Sequence, residues 1–547
     1  MPAQSINTFD QIIRHNAQMI PDRIASRFDG SVVTYGALNP RLNRFVNALS
    51  EVGLAKGDRI AFLSRNSHIY IEGILAAARG GFVLTTLNFL LKPDELSYIL
   101  QHSDARIIFF QPEFAEVVEA IRSSCPALKY FISLGDPVDF AWDYSTFLAA
   151  ASNKESSVVV HGDDLLLLVY TSGTTGRPKG VMLNHRNVCT NVIDSVRGVA
   201  LSDDTVNLNV CPLYHVAAIV LQTLTTYCLG GTSVTLDRFD PVTVLKTIER
   251  EKITYLFLVP TMLFRMLEVP DADRYDLSSL QRVGYGAAPM PLDRLKRAIA
   301  LFGPTLFQGY GLTETTANIA ILGPEIHDLS APVRELERLK SCGRAHSGHE
   351  LSIMNDNGVE VPYGEIGEIC VRSDSVMAGY WRDPENTAKA IRDGWLRTGD
   401  MAYMDEERYI FIAGRKNDMI KRGGEKIYPQ EIEDILFDHP AVLEAAVCGI
   451  ADPDWGETPR AYIVVRAGYQ LSDKELLAHC ADRLPTFKCP QDVVFLPELP
   501  KTSSGKITRT GLEQLKISCS TLYLPIQGIW ASRFRANRFA FQCSFRD

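Results

Sequence analysis

The apolar run Leu165–Tyr170 passes directly into Thr171-Ser-Gly-Thr-Thr-Gly-Arg-Pro-Lys-Gly180, and this junction constrains the fold more than any other stretch of the chain. A short, continuously apolar run before a Gly/Thr/Ser-rich segment reads as a buried strand delivering a loop. The ten residues after Tyr170 hold four hydroxyl side chains, three glycines and two cations. Glycines permit close backbone approach and unusual dihedrals. Backbone amides, with the hydroxyls of Thr171, Ser172, Thr174 and Thr175, suit phosphate oxygens, and Lys179 adds charge. A flexible glycine loop is the competing reading. Spacing excludes a Walker-type loop, which needs Gly before the lysine and Ser or Thr after it; Pro178 and Gly180 flank Lys179 instead. The chain has no GxGxxG, which weakens a dinucleotide or kinase reading.

The flanking sequence alternates between two periods. Leu38 to Val52 has helical apolar spacing and ends before Gly53, the strand candidate Arg59 to Leu63 follows, and a helix over Tyr70 to Ala78 stops at Gly80-Gly81. Phe82 to Leu87, a helix around Asp94 to Gln101 and the strand Ala105 to Phe110 continue the pattern, which recurs from Leu165 to about Phe307. Strands separated by helices predict an α/β fold with mostly parallel sheets flanked by helices. Leu351 to Ile412 changes to short strands and glycine turns, predicting a β-rich subdomain. A boundary near Gly414 to Asp418 gives a large N-terminal domain, 1–416, and a small α+β C-terminal domain, 417–515. The tail, 516–547, carries four arginines and no acid before Asp547, and its pattern assigns no role.

Composition narrows the partners. A chain of 547 residues is too long for one ordinary domain, and 46% hydrophobic with 22% charged residues fits a soluble globular protein. A formal charge of -9 argues against nucleic acid or an anionic membrane as partner, while leaving room for a local basic pocket. The N-terminus lacks a charged-then-apolar run, so no signal peptide is expected. Val216 to Leu229 is short for a span and is interrupted by Gln222, Thr223, Thr225 and Thr226, so no integral membrane segment is expected. Eleven cysteines without a CxxC pair read as reduced thiols of a cytoplasmic protein.

The loop resembles the phosphate-binding signature of the acyl-adenylate-forming (AMP-binding) superfamily, and the resemblance, with the family's further signatures in their usual order, runs from about Thr8 to Gly511. The resemblance implies that Thr171, Ser172, Gly173, Thr174, Thr175, Gly176 and Lys179 hold the phosphates. Gly286-Ala287-Ala288-Pro289 looks like the adenine-pocket turn. Within Gln308-Gly-Tyr-Gly-Leu-Thr-Glu314, the resemblance has Tyr310 stack on adenine, Thr313 bond the α-phosphate and Glu314 hold Mg²⁺, an oxygen ligand suited to a hard cation. Trp395 to Asp400 is similar to the ribose signature, with Asp400 accepting both hydroxyls and Arg415 contacting the same region. The position after Gly-Arg-x, commonly Asp or Lys in the family's hinge, is Asn417, which tolerates the left-handed region. Lys421 to Pro429 resembles the loop bringing Gly423 and Gly424 to the pantetheine. Pro500 to Lys506 resembles the terminal signature whose lysine, here Lys506, is catalytic, with Lys501 the nearest decoy. His215, in Cys211-Pro-Leu-Tyr-His215, matches the family histidine that borders the acyl pocket and gates access between acid and thiol.

The chemistry implied is that of an ATP-dependent acyl-CoA ligase of the acyl-CoA synthetase branch, using ATP, Mg²⁺ and coenzyme A on a carboxylic acid. A stand-alone adenylation enzyme loading an acyl carrier protein, a luciferase-like oxidative enzyme and a non-catalytic acyl-nucleotide-binding protein are the alternatives. No GxSxG signature occurs, in keeping with a reaction that needs no protein nucleophile. The expected acyl pocket, around His215 to Leu221, Val259 to Met262, Tyr285 and Gly309 to Gly311, is apolar and suits an aliphatic or aryl acid. The resemblance also admits a homodimer.

Overall fold

The computed structural model describes residues 7–171, 177–501, 507–513 and 515. Four sheets organise them. The first has nine strands, running from Arg344–Ala345 through Asn318–Leu322, Leu306–Gly311, Arg282–Gly286, Tyr255–Leu258, Val206–Asn209, Thr232–Thr235 and Ile24–Phe28 to Ser31–Thr34. Its interior pairs are parallel and only its edges are antiparallel. The second has eight strands around Leu165–Thr171, with Val83–Thr86, Arg59–Leu63, Ala105–Phe110 and Tyr130–Ser133 parallel in succession. Helices cover these strands, which explains their unbroken apolar runs: Leu166, Leu167 and Leu168 have no exposed surface.

Local chemistry sets the element ends. The helix His68–Gly80 begins on Ser67, whose hydroxyl accepts from the Tyr70 amide, and ends on Gly81 at φ +66°, a left-handed cap that glycine adopts without a Cβ penalty. The expected helix over 38–52 spans Tyr35–Glu51, and the strands at 59–63 and 105–110 lie where the pattern places them.

The third sheet is antiparallel and contains Glu350–Met354, Gly367–Arg372, Trp395–Met404 and Ile410–Arg415. It shares one hydrophobic core with the first two, since Ile353, Val371 and Ile410 join a cluster with Phe45, Leu167 and Ile319. The fourth sheet lies C-terminal to Asp418 and centres on the long hairpin Val442–Asp452/Gly456–Val465. With the helices Pro429–Phe437 and Asp473–Ala481 it forms a core of its own, including Ile432, Leu436, Val447, Ile463 and Leu476. The α/β class with a β-rich part and a small α+β part therefore matches the sequence reading.

One local expectation changes. The sequence carries the glycine-rich loop to Gly180, whereas Lys179–Asn184 is already a strand, antiparallel to Leu165–Thr171 with Thr171 opposite Lys179 and Tyr170 opposite Gly180. Thr171 and Lys179 thus pair across a hairpin whose connecting residues lie outside the described ones. What extends the strand lies far along the chain, where the Trp381 amide donates to Gly180 O at 2.7 Å.

Candidate active site

The two core-sharing parallel sheets and the antiparallel sheet bring the signatures together. At the hairpin, Thr171 and Lys179 are half-buried, while Ser172, Gly173, Thr174, Thr175 and Gly176 lie outside the described residues. Lys179 Nζ stands 5.0 Å from the centroid of the Tyr380 ring.

The strand Arg282–Gly286 runs beside Leu306–Gly311 with Gly286 opposite Gly309. A Cβ on Gly286 would collide with the Gly309 carbonyl, so glycine is required for these backbones to meet. Ala287 follows at φ +66°, and Ala287 and Pro289 are exposed, with Ala288 half-buried. This is an open ledge of small residues on which a flat base can lie.

Tyr310 is 8% exposed and donates its hydroxyl to Asp400 Oδ2 at 2.7 Å. Burial, reinforced by the neighbouring carboxylate, pushes the Tyr310 phenol well above its usual range, so it remains a donor. Asp400 faces Arg415 across adjacent strands, and Arg415 Nε reaches Asp400 Oδ1 at 2.6 Å. Gly399 sits at φ +76°, with its amide donating to Glu368 Oε1 at 3.0 Å. That turn aims Asp400, which also takes its amide to Thr398 Oγ1 at 3.1 Å.

Thr313 and Glu314 lie in a single 3-10 turn, Thr313–Thr315, half-buried. The residues behind them fix it. Thr315 Oγ1 accepts from the Leu312 amide at 2.9 Å and donates to Ala317 O at 2.8 Å, and Thr316, at φ +67°, donates its hydroxyl to Ser375 O at 2.7 Å. The Met377 amide donates to Glu314 O at 2.9 Å, and the Tyr380 hydroxyl to Glu314 Oε1 at 2.9 Å.

These features coincide with a family match. Residues 13–381 match the family described as AMP-binding enzyme, and residues 431–506 its C-terminal domain. The chain belongs to the AMP-binding enzymes. A feruloyl-CoA synthase of an Amycolatopsis species is 37% identical over 493 residues, covering 90% of this chain and 96% of that protein. Among solved structures, the anthranilate CoA ligase AuaEII in complex with anthranoyl-AMP superposes with a TM-score of 0.85 at 27% identity, covering 92% and 96% of the two chains. The amide bond synthetase McbA of Marinactinospora thermotolerans gives 0.83 at 31%, covering 92% and 99%. The reading as an ATP-dependent acid–thiol ligase of the acyl-adenylate-forming superfamily holds.

The AMP-binding enzyme's remaining signatures are placed as follows. His215 is half-buried in a turn, with its amide on Pro212 O at 3.0 Å and its ring 4.4 Å from that of Tyr214. Asn66 clamps this turn, donating to Cys211 O at 2.9 Å and accepting from the Leu213 amide at 2.8 Å. Ala218–Leu224 then winds as a π-helix, a feature frequent at functional sites. Gly423 (φ +58°) and Gly424 (φ +90°) form the tip of the hairpin Ile420–Arg422/Glu425–Ile427. Asn417 lies in the 3-10 turn Lys416–Asp418 and is not left-handed. Lys506 lies outside the described residues; the described Lys501 and Ile507 pair as an antiparallel bridge. Lys501 is engaged by Glu444 Oε1 at 2.6 Å.

Tyr285 departs from its expected place at the acyl pocket. It packs with Val283 in the second core, and its hydroxyl meets His327 Nε2 at 2.9 Å while His327 Nδ1 meets Gly323 O at 2.8 Å. Alternate residues of a strand face opposite sides, so the side chains of Val283 and Tyr285 leave the site together. Burial pulls the His327 imidazole down to about 4, so Nδ1 donates to the carbonyl and Nε2 accepts from Tyr285.

The carboxylate fits magnesium. Glu314 Oε2 has no hydrogen-bond partner among the described residues, and those residues hold no cluster of three or more His, Cys, Asp or Glu able to cage a metal. Mg²⁺ is bound through one or two carboxylates plus substrate phosphates and water, so a lone carboxylate with one oxygen left over fits the donor set it uses. No local pattern marks Tyr380, Asn66 or Glu368: each acts on a residue distant in the chain, and none sits in a signature read above.

Proposed function

We propose that this AMP-binding enzyme adenylates a hydrophobic carboxylic acid, aliphatic or aryl, and passes the acyl group to coenzyme A. The observation that carries the reading is the convergence of Tyr310, Asp400 and Arg415 beside the Gly286–Gly309 contact, an arrangement that offers a carboxylate to a ribose and a flat ledge to its base. Feruloyl-CoA synthase and the anthranilate ligase are named for aryl acids, which favours the aryl side.

In this reading the residues at 171–176 and Lys179 hold the β- and γ-phosphates, and Thr313 donates to the α-phosphate. Glu314 would hold magnesium, which would supply positive charge against the triphosphate and so lower the repulsion met by an incoming carboxylate. One acid oxygen attacks the α-phosphorus in line, forming the acyl–phosphate bond as the bond to the bridging oxygen breaks and pyrophosphate leaves. Lys506 places a mobile positive charge where the α-phosphate gains negative charge. Residues 1–416 are the adenylating domain and 417–515 the mobile one, turning near Asn417 to withdraw Lys506 and present Gly423 and Gly424. The coenzyme A thiolate then attacks the acyl carbonyl and AMP departs with the electron pair. His215 stands between acid and thiol.

Among the described residues no helix is long and apolar enough to cross a membrane. Cys448 aside, eight described cysteines are free thiols and seven of these are buried, which supports a reducing, cytoplasmic setting.

Pyrophosphate release measured over a panel of aryl and aliphatic acids tests the first step, and thioester formation on adding coenzyme A tests the second. No release with any acid would overturn the enzyme reading. Release without thioester, but with acyl transfer to an added carrier protein or amine, would replace coenzyme A as acceptor; the likeness to an amide bond synthetase is the reason to include the amine.

A further inference from the structure

We propose that Tyr380 is a positioning residue that fixes the Glu314 carboxylate and the Lys179 ammonium relative to each other. The inference rests on the reading of Glu314 as the magnesium carboxylate and Lys179 as a phosphate holder. A short stretch, 377–381, is attached to both. Its Met377 amide donates to Glu314 O at 2.9 Å, its Tyr380 hydroxyl donates to Glu314 Oε1 at 2.9 Å, and its Trp381 amide donates to Gly180 O at 2.7 Å, next to Lys179. The strand Gly379–Tyr380 pairs antiparallel with Val181 and Met182 of the phosphate hairpin. Backbone and side chain of Glu314 are thus tied to the hairpin through one segment.

The geometry at Tyr380 is specific. Gly379 stands at φ +137°, where a side chain is strained and a Cβ would meet Thr387, and the Tyr380 amide donates to Thr387 Oγ1 at 2.9 Å. This turn directs the phenol toward Glu314 while its ring lies against Lys179 Nζ at 5.0 Å. Lys179 has no ion pair among the described residues, so the ring is its described polar contact apart from the longer-range pull of Asp383. A carboxylate's last torsion is broad and two-fold, so an unrestrained Glu314 would sample many directions. With Oε1 held by the phenol, Oε2 is the oxygen left to face a cation.

Tyr380→Phe keeps the ring against Lys179 and removes only the hydroxyl. Mn²⁺ binding to the full-length enzyme with a non-hydrolysable ATP analogue, followed by electron paramagnetic resonance, reads the effect without turnover. The expected result is an affinity weaker by about 10- to 100-fold, the size of one lost hydrogen bond to a charged group. The Mg²⁺ requirement of the pyrophosphate-releasing step should rise in parallel and be met at high Mg²⁺, while coenzyme A transfer from preformed acyl-adenylate stays unchanged. Glu314→Gln separates the two ideas. Weakened Mn²⁺ binding in Glu314→Gln with wild-type binding in Tyr380→Phe overturns the positioning role alone. Wild-type binding in both overturns the magnesium assignment, and the positioning role with it.

Discussion

Asp400 and Arg415 stand directly opposite each other on adjacent antiparallel strands, with Arg415 Nε 2.6 Å from Asp400 Oδ1 and the Tyr310 hydroxyl 2.7 Å from Oδ2. Both carboxylate oxygens are therefore oriented before any nucleotide arrives, with the Asp400 side chain 7% and the Arg415 side chain 49% exposed. Asp400→Asn retains an acceptor for Tyr310 and removes the charge. Because a hydrogen bond to a charged group contributes about 1.5–3 kcal/mol, kcat/KM for ATP should fall about 10- to 100-fold with little change in melting temperature. An unchanged ATP dependence would remove Asp400 from the nucleotide site.

Gly286→Ala places a methyl group against the Gly309 carbonyl. The neighbour is backbone and cannot rotate away, so the two strands must separate, at about 1–3 kcal/mol. ATP affinity by calorimetry should drop at least about tenfold, because the adenine ledge rides on these strands. Wild-type affinity in a folded variant would show that the ledge does not carry the base.

Arg509 joins three places. Its Nη2 meets Glu433 Oε1 at 2.7 Å, its Nη1 meets Asp418 Oδ2 at 2.6 Å, and its Nε meets Val447 O at 3.1 Å. Glu433 is 7% exposed, and burial already pushes its carboxyl up against the opposing pull of Arg509. Arg509→Ala strands that carboxylate, so local stability should fall by about 3–5 kcal/mol. Amide exchange in the helix Pro429–Phe437 is the measurement, since a chain with two cores need not unfold in one step. Unaltered protection there would show that Glu433 finds another partner.

Two buried histidines set an acid limit. Burial pulls His185 and His327 down to about 4 from an ordinary 6.5. A histidine held neutral in the fold contributes stability that is fully present above pH 6.5 and is lost as pH falls toward 4, because only the unfolded chain takes the proton. Asp194, raised to about 6 from 3.8 by burial, acts oppositely: its contribution is present below pH 3.8 and lost as pH rises through 6. Near pH 5 the three groups together leave the unfolded state with an excess of about one proton, or on the order of 1 kcal/mol per pH unit. Melting temperature should therefore decline from pH 6.5 to 4.5, less steeply in His327→Gln. A flat profile would mean these imidazoles titrate normally.

Lys506→Ala should slow adenylation by about 100- to 1000-fold, as loss of a charge aimed at the transition state does. Coenzyme A transfer from preformed adenylate should be nearly unaffected. Equal losses in the two half-reactions, followed by pyrophosphate release and thioester formation separately, would refute the assignment.

The chemistry was legible in the sequence because it depends on residue types at short, fixed spacings. The run before Tyr170, Gly286 to Pro289, Gln308 to Glu314 and Trp395 to Asp400 each occupy one turn or strand end, so local order alone reveals them. The same holds for the strands at 59–63 and 105–110, whose apolar runs follow from burial on both faces. Tertiary structure decided what depends on separation in the chain. The carbonyl of Gly180 accepts from the distant Trp381 amide, Lys501 is engaged by Glu444, and the ring of Tyr285 leaves the site because strand alternation aims it into the second core. The hydroxyl of Tyr380 reaches Glu314 only through the sheet that pairs its segment with the phosphate hairpin. Such contacts have no sequence period, since the chain between their partners is set by the packing of whole sheets rather than by the residues that touch.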